Sequence, residues 1–374
     1  MPQVKRSRPF RALFVTTTVS GVAYYRMCNF AWNMRTWPNV STVVWPYSKE
    51  VTIQNQWQVD IIENPEVKNI LYRLVDCADV VVWQTLDFEH SFEFWLDLRA
   101  RFQKPFLMEI DDYVADVPVS NEAFEGLKPG SRRLKVILEQ MRQSDAVIAS
   151  TPYLKEQYSD LNGNIFVVPN SIDFKEWDKA KKRKSQSDRL RIGWIGGSTH
   201  NDDLEMVRPV IEKLTQKYPN VWFYCVHGVP NSYKSMEKVY WTHKWSKINL
   251  YPRFLASFKF DIGIAPLVDN NFNRGKSNLR WLEYSVLAIP TVASPLPDFK
   301  RVIRNGESGY LADTPEQWEK ALTYLVENEV RREQVGLNAY RQIKKEFNAQ
   351  KWATRYMRFL KGMANGEFLS ADEI

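Results

Sequence analysis

Short runs of β-branched and other apolar residues alternate along this chain with longer amphipathic stretches, and this alternation constrains the fold more than any other feature. The runs 80–83, 106–110 and 146–149 have the length of a strand, whereas 132–143 has helical periodicity. Strands that alternate with helices form βαβ units, whose strands are parallel. We therefore predict an α/β protein built of doubly wound, Rossmann-like sheets.

The alternation occurs twice in a chain of 374 residues, which is the length of about two ordinary domains. A strongly charged stretch, 175–191, interrupts the pattern and serves either as a solvated linker or as a phosphate-binding patch; we place the domain junction there. The predicted parts are a first Rossmann-like domain at 1–178, a second at 179–348, and a C-terminal helix and tail at 349–374 that packs back on the first domain.

The individual elements follow from the same periodicity. The predicted strands are 12–16, 40–45, 80–83, 106–110, 146–149, 165–168, 190–197, 221–226, 261–265 and 291–293. The predicted helices are 24–35, 92–101, 132–143, 315–327, 329–347 and 349–363, with a further helix after the strand at 190–197.

Composition favours a folded protein of the cytoplasm. Apolar residues make up 44% of the chain and charged residues 25%, the usual balance of a globular domain. No run approaches the roughly 20 apolar residues of a membrane-spanning helix. Three cysteines without disulfide-like or metal-like spacing are typical of a reducing compartment, and four histidines without a ligand pattern lead us to expect no metal.

The net charge of +7 would draw the chain toward polyanions, whether nucleic acid, anionic lipid or a nucleotide diphosphate. An aromatic content of 14% is compatible with rings that stack on bases and also with rings that fill a core. Charge and aromatic content therefore leave a nucleic-acid-binding protein open as an alternative to an enzyme.

Three turns at strand ends are candidate ligand sites, because ligands of open parallel sheets bind beyond the carboxyl ends of the strands. In the first, Gly21 permits close backbone approach and Arg26 could reach an anion; a plain turn glycine with a surface arginine is the alternative. In the second, Gly196 and Gly197 could approach a phosphate, while Ser198 or Thr199 would cap the next helix. This pair is neither a dinucleotide fingerprint nor a P-loop.

The third turn, which follows the strand at 261–265, is the most informative. Lys276 and Ser277 would lie at a helix N-terminus and suit a diphosphate, and Glu283 on the same helix could accept both hydroxyls of a ribose. An ordinary amphipathic helix would not place Glu283 among apolar neighbours, because an unpaired buried carboxylate is costly.

The segment 261–290, with the Val167–Asp173 run VVPNSID before it and the Asn305–Tyr310 run NGESGY after it, resembles the retaining GT-B glycosyltransferases of family 4, also called group 1. The resemblance covers nearly the whole chain. It implies two Rossmann-like domains that face each other across a cleft, and a donor nucleotide diphosphate-sugar, UDP-, GDP- or ADP-linked, held mainly by the second domain.

The resemblance also assigns roles to residues. Glu283 matches the final glutamate of the family's EX7E motif, which binds the donor ribose, whereas Gly275 stands where the first glutamate is expected. The basic residues that usually follow the second glycine turn are replaced here by a stretch that contains His200. Lys276 and Arg280 could supply the missing charge, and Asn273 lies in the same donor-binding loop.

Asp111 and Asp112 end a first-domain strand where relatives often have His-Asp facing the acceptor. We expect them, with Lys276, to be the catalytic groups; a metal site of two adjacent acids is the alternative. The acceptor could be a saccharide, a lipid-linked saccharide or a modified DNA base, and the loops 45–57 and 116–131 could bind it. A nucleotide-sugar epimerase of the same architecture also remains open.

Overall fold

The structure is a computed structural model that describes residues 8–18, 20–46, 64–180 and 188–367. Contacts divide the chain into two compact units. The first comprises Met1–Asp111, Gly126–Pro169 and Ala349–Ile374, and the second comprises Asp112–Glu125 and Asn170–Asn348. Most of the acceptor loop predicted at 45–57, and the central part of the charged stretch 175–191, lie outside the described residues.

The first unit contains a six-stranded parallel sheet in the order β2-β1-β3-β4-β5-β6 within its described residues. Its strands are β1 Phe10–Val15, β2 Val40–Trp45, β3 Val80–Gln84, β4 Phe106–Ile110, β5 Ala146–Ala149 and β6 Ile165–Val167. Strands β3, β4 and β5 are buried along their whole length. A sheet covered by helices on both faces accounts for their nearly continuous apolar sequences.

The second unit contains a second six-stranded parallel sheet, in the order β12-β11-β10-β7-β8-β9. Its strands are β7 Leu190–Gly196, β8 Val221–His227, β9 Val239–Thr242, β10 Ile262–Ala265, β11 Thr291–Ala293 and β12 Tyr310–Leu311. The strand order reverses between β7 and β10, which is where ligands of doubly wound sheets bind.

The helices of the first unit surround its sheet. They are α1 Gly21–Ala23, a π-helical turn at Tyr24–Cys28, α2 Asn29–Met34, α3 Pro65–Cys77, α4 Glu89–Phe102, α5 Phe124–Leu127, α6 Arg132–Gln143 and α7 Pro152–Gln157, with α5 beginning in the second unit. The helix predicted at 24–35 is therefore interrupted by a π-turn, which the apolar period alone does not predict.

The helices of the second unit are α8 Phe174–Trp177, α9 Asn201–Lys217, α10 Asn231–Lys234, α11 Tyr251–Ser257, α12 Asn271–Arg274, α13 Leu279–Val286, α14 Pro297–Val302, α15 Pro315–Glu327 and α16 Glu329–Glu346. Helix α17, Ala349–Ala364, follows them in sequence but belongs to the first unit. None of the helices in the described ranges is long and apolar enough to cross a membrane.

Helix α17 completes the core of the first unit. The ring of Phe359 stacks on that of Phe166 at 4.2 Å, and Tyr356 meets Phe14 and Phe30 edge to face at 6.0 and 5.7 Å. Leu360 is fully buried in the same cluster. The C-terminal helix thus packs back on the first unit, as its amphipathic sequence predicts.

The observed division of the chain differs from the predicted junction at 178 and 179. The second unit begins at Asn170, because the backbone of Ile172 bonds to that of Phe347 and the ring of Trp177 packs against Tyr251. It also takes in Asp112–Glu125 from the middle of the first block. Contacts between residues distant in sequence set both boundaries, so the charged stretch alone could not locate them.

Replacing a core leucine of α17 should destabilise the first unit. Leu360→Ala removes a fully buried side chain, so we expect a loss of about 2–5 kcal/mol, whereas Leu337→Ala at an exposed position of α16 should change stability by less than about 0.5 kcal/mol. Hydrogen exchange of the β1 and β4 amides checks the comparison. Equal protection in the two variants would show that α17 adds nothing to this core.

Candidate functional site

The second unit brings three loops together at the carboxyl edge of its sheet. Strand β7 is hydrogen-bonded to β10 on one side and to β8 on the other. The loops that follow these parallel strands therefore emerge side by side at the switch in strand order. They contain the glycine turn after β7, the polar loop after β10, and the segment after β8.

The glycine turn is held close to the neighbouring loop. Gly197 continues the extended chain beyond β7, and a Cβ atom on Gly228 would lie 2.2 Å from the Gly197 carbonyl oxygen. The Gly228 amide donates to the Gly196 carbonyl at 2.8 Å. Two strands can approach this closely only if Gly228 has no side chain.

The predicted cap at Ser198 is wrong. A 3₁₀ turn at Ser198–His200 precedes α9, so the helix begins at Asn201 and Ser198 is exposed and makes no capping hydrogen bond. The short turn moves the helix start three residues along the chain. Backbone N–H groups at the start of α9 remain candidates for an anion, as at other helix N-termini.

Asp203, in the first turn of α9, connects the glycine turn with the loop after β10. Its carboxylate is buried and accepts hydrogen bonds from His200 Nδ1 at 2.7 Å, from the Val268 amide at 2.7 Å and from Asn273 Nδ2 at 2.9 Å. Asn273 Nδ2 also donates to the Val268 carbonyl. The amide nitrogen of Asn273 therefore holds the loop to Asp203, and the donor-binding role of this residue stays a prediction.

Lys276 and Ser277 lie in the turn before α13 rather than in the helix itself. Lys276 Nζ is 2.8 Å from an Asp112 carboxylate oxygen and 4.3 Å from the centre of the Phe272 ring. Ser277 Oγ accepts a hydrogen bond from Asn170 Nδ2 at 2.8 Å. The ammonium group of Lys276, which was predicted to bind a diphosphate, is therefore already paired with the carboxylate of Asp112.

The N-terminus of α13 also has an anionic partner. The buried carboxylate of Asp298 accepts a hydrogen bond from the Asn278 amide at 2.8 Å and forms an ion pair with Arg301 at 2.6 Å. Burial raises the pKa of Asp298, and Arg301 opposes that rise. The start of this helix is therefore less available to a diphosphate than the sequence suggests.

Glu283 is buried on α13, as its apolar neighbours predict, and has polar partners there. Arg280 Nη1 donates to Glu283 Oε2 at 2.6 Å, and the hydroxyl of Tyr251 donates to the same oxygen at 3.1 Å. Burial, and then the Glu283 charge, raise the pKa of Tyr251 well above its ordinary value. The phenol therefore stays protonated, and the two donors fix the orientation of the carboxylate.

An aromatic strip leads away from Glu283. It consists of Tyr251, Trp245 and His227, whose neighbouring ring centres are 5.7 and 4.5 Å apart. Trp245 is 39% exposed. His227, at the end of β8, has a φ of 79°, a strained value for a residue other than glycine.

In the first unit, Gly21 begins α1, the first helix after β1, but Arg26 does not lie at a surface anion site. Arg26 and Glu109 are each 1% exposed and form an ion pair at 2.6 Å, and Arg26 also donates to the Val168 carbonyl at 2.6 Å. The predicted role of Arg26 in anion binding is therefore corrected. The π-turn carries its side chain into the core, where Glu109 neutralises it.

The two adjacent aspartates fall in different units. Asp111 ends the first segment of the first unit, where its carbonyl accepts a hydrogen bond from Ser150, and Asp112 begins the segment of the second unit that contacts Lys276. Among the residues that the structure describes, no three His, Cys, Asp or Glu side chains are grouped so that they could hold a metal ion.

Several site residues were not predicted from the sequence. Asp203, Tyr251, Trp245 and His227 carry no motif, and each is identified by a contact with a residue far along the chain. The one available signal was the acidic pair at 202 and 203 after a glycine turn, which is also typical of an ordinary helix start.

One family model matches part of this sequence. Residues 205–358 match the family model described as "Glycosyl transferase-like". No curated protein matches the sequence.

Solved structures match nearly the whole chain. HepE from Anabaena, solved with UDP and glucose, has a TM-score of 0.64 at 12% identity, covering 94% of this chain and 99% of its own. Sucrose-phosphate synthase from Thermosynechococcus elongatus has a TM-score of 0.65 at 12% identity, covering 96% and 100%. A putative UDP-N-acetylglucosamine 2-epimerase from Listeria monocytogenes has a TM-score of 0.56 at 11% identity, covering 97% and 100%. The predicted two-sheet α/β fold of the GT-B type is confirmed.

Breaking the buried ion pair of the first unit should be costly. Arg26→Met leaves Glu109 charged and buried, so we expect a loss of about 3–5 kcal/mol, whereas Arg142→Met, which breaks an exposed pair, should cost less than about 1 kcal/mol. Denaturant unfolding measures both. Replacing both partners, as Arg26→Met with Glu109→Leu, should recover part of the loss; equal stability of the two single variants would contradict the buried pair.

Proposed function

We propose that this chain is a glycosyltransferase of the GT-B type that moves a sugar from a nucleoside diphosphate to an acceptor hydroxyl. The match of residues 205–358 to a glycosyltransferase family model and the fold shared with solved structures support the proposal. The observation that carries the proposal is Glu283, a buried carboxylate whose one oxygen is held by both Arg280 and Tyr251. A carboxylate fixed in this way can accept both hydroxyls of a ribose, which water would otherwise solvate.

The aromatic strip beside Glu283 suits the base of the same nucleotide. Tyr251 bonds to Glu283 and contacts Trp245, which in turn packs against His227. Any nucleobase has a flat face that can stack on such rings, so the strip favours a nucleoside without selecting the base. UDP-, GDP- and ADP-linked donors all remain candidates.

Three features could hold the diphosphate. Gly196 and Gly197 allow the backbone to come close, α9 begins after the 3₁₀ turn that follows them, and Lys276 provides a cation in the adjacent loop. Helix N–H groups and a fixed cation stabilise the negative charge that develops when the diphosphate leaves. Lys276 is therefore proposed as the charge-stabilising group of the reaction.

The reaction that follows is a substitution at the anomeric carbon. The bond between this carbon and the diphosphate oxygen breaks, a bond to the acceptor oxygen forms, and the acceptor proton passes to the departing phosphate. Attack from the side of the leaving group gives retention of configuration, without a metal. Asp111, at the end of β4, is proposed as a contact for acceptor or sugar.

The acceptor is proposed to be a saccharide, a lipid-linked saccharide or a modified DNA base. A polyanionic acceptor would be attracted by the net charge of +7. Cys77 and Cys225 are free thiols, which suits a reducing cytoplasm.

A donor screen tests the proposed function. UDP, GDP, ADP and their glucose conjugates would be compared by thermal shift, and products with candidate acceptors would be identified by mass. We expect one base to stabilise the chain and its sugar to be transferred. Turnover of the nucleotide-sugar without any acceptor would favour the epimerase, and binding of oligonucleotides but of no nucleoside diphosphate would overturn a transferase.

The role of Glu283 predicts a loss of discrimination at the ribose. The native chain should bind the preferred nucleoside diphosphate at least about tenfold more tightly than its 2′,3′-dideoxy form, and Glu283→Gln should reduce this difference to about twofold. Calorimetry with both ligands measures it. Glu307→Gln, at an exposed ion pair, is the matched control and should keep the discrimination; an unchanged ratio in Glu283→Gln would remove Glu283 from the ribose site.

Asp112 would compete with the diphosphate for Lys276, so removing its charge should strengthen the binding of the nucleoside diphosphate. Asp112→Asn removes the negative partner of Lys276, so the nucleoside diphosphate should bind about two- to fivefold more tightly, the equivalent of a partly exposed ion pair. Asp116→Asn, on the same segment but bonded to Asn271, is the control. Weaker binding by Asp112→Asn would show that the aspartate assists the donor instead.

A further inference from the structure

Asp203 has more bonds than an acidic residue in the first turn of a helix requires. The residue is 3% exposed, and its Oδ1 accepts hydrogen bonds from the Val268 amide and from Asn273 Nδ2. Its Oδ2 accepts the ring nitrogen Nδ1 of His200 at 2.7 Å. An exposed carboxylate would interact with the helix dipole equally well. The helix dipole therefore does not explain why three donors converge on a buried carboxylate.

The charge of Asp203 points to His200 as its functional partner. A buried carboxylate is costly unless it is hydrogen-bonded and its charge is compensated. Val268 and Asn273 contribute neutral donors, and of the three partners only His200 can carry a positive charge. The His200 side chain is 23% exposed, so the pair extends from the interior toward the surface.

The hydrogen bond between His200 and Asp203 also fixes the tautomer and the orientation of the imidazole ring. A carboxylate at Nδ1 requires the proton on that nitrogen and leaves Nε2 on the opposite side of the ring, as in other Asp–His pairs. His200 is the last residue of the 3₁₀ turn after Gly197 and the residue directly before α9. The ring therefore occupies the region in which the diphosphate is proposed to bind.

On the basis of the proposed function, we propose that Asp203 is a positioning residue that holds His200 as a hydrogen-bond donor to the leaving diphosphate. The form of His200 that acts in this proposal is the imidazolium, in which Nδ1–H donates to Asp203 and Nε2–H can donate to the diphosphate. His200 then provides the cation that the glycine turn otherwise lacks in its own sequence.

No bond to His200 forms or breaks in this step. As the anomeric C–O bond breaks, the electron pair remains on the phosphate oxygen, and Nε2–H donates to that growing charge. The acceptor proton is taken up by the phosphate, so the imidazole keeps both of its protons. A donor placed where charge develops stabilises the transition state more than the bound substrate.

The experiment compares nucleoside diphosphates with monophosphates. UDP, GDP and ADP are titrated against the native chain, and the one that binds is measured with its monophosphate on His200→Gln, Asp203→Asn and the double variant. We expect each single variant to lose about tenfold in affinity for the diphosphate and less than about twofold for the monophosphate. The double variant should be no worse than His200→Gln, because Asp203 acts through the ring.

Asp202→Asn is the matched control, since this neighbour bonds to Ser120 and not to the site, and it should bind both ligands as the native chain does. His200→Gln leaves the other two bonds of Asp203 in place and so retains the test if Asp203→Asn does not fold. Equal losses for diphosphate and monophosphate, or additive losses in the double variant, would overturn the inference while leaving the proposed function intact. If no nucleoside diphosphate binds the native chain, both are overturned.

Discussion

The high cost of burying a carboxylate governs the arrangement of the second unit. Asp203, Glu283 and Asp298 are each no more than 3% exposed, and each is held by donors from other parts of the chain. A buried charge that loses a donor destabilises the fold, so these bonds act as constraints on the loops that supply them. These hydrogen bonds join the loops at the carboxyl edge of the sheet to one another and to the helix starts beside them.

In the first unit, the cost of burying a charge is met by an ion pair. Arg26 and Glu109 neutralise each other inside the unit, and Arg26 also ties the π-turn to the carbonyl of Val168 at the end of β6. Both side chains thus help to hold the loop after β1. A charged residue at a strand end can thus serve the ligand or the scaffold, and the direction of its side chain decides which.

The sheets were predictable from the sequence to an unusual degree, and the exceptions have a common cause. Strands β4, β5 and β11 have the predicted bounds because a strand buried on both faces must be apolar throughout. Strands β9 and β12 were missed. They lie at the two edges of their sheet and are only partly buried, so their sequences lack the apolar run.

Apolar runs, turn residues and one carboxylate among apolar neighbours are local features of the chain, and they were enough to predict the pair of doubly wound sheets, the family resemblance and the burial of Glu283. Which side chains meet depends on how distant parts of the chain fold together. The tertiary structure turned Arg26 inward, gave Lys276 a carboxylate partner in Asp112, and brought His200, Val268 and Asn273 to Asp203. Such contacts join residues up to 164 positions apart, and a hydrogen bond between them depends on ångström-scale distances that no periodicity in the sequence encodes.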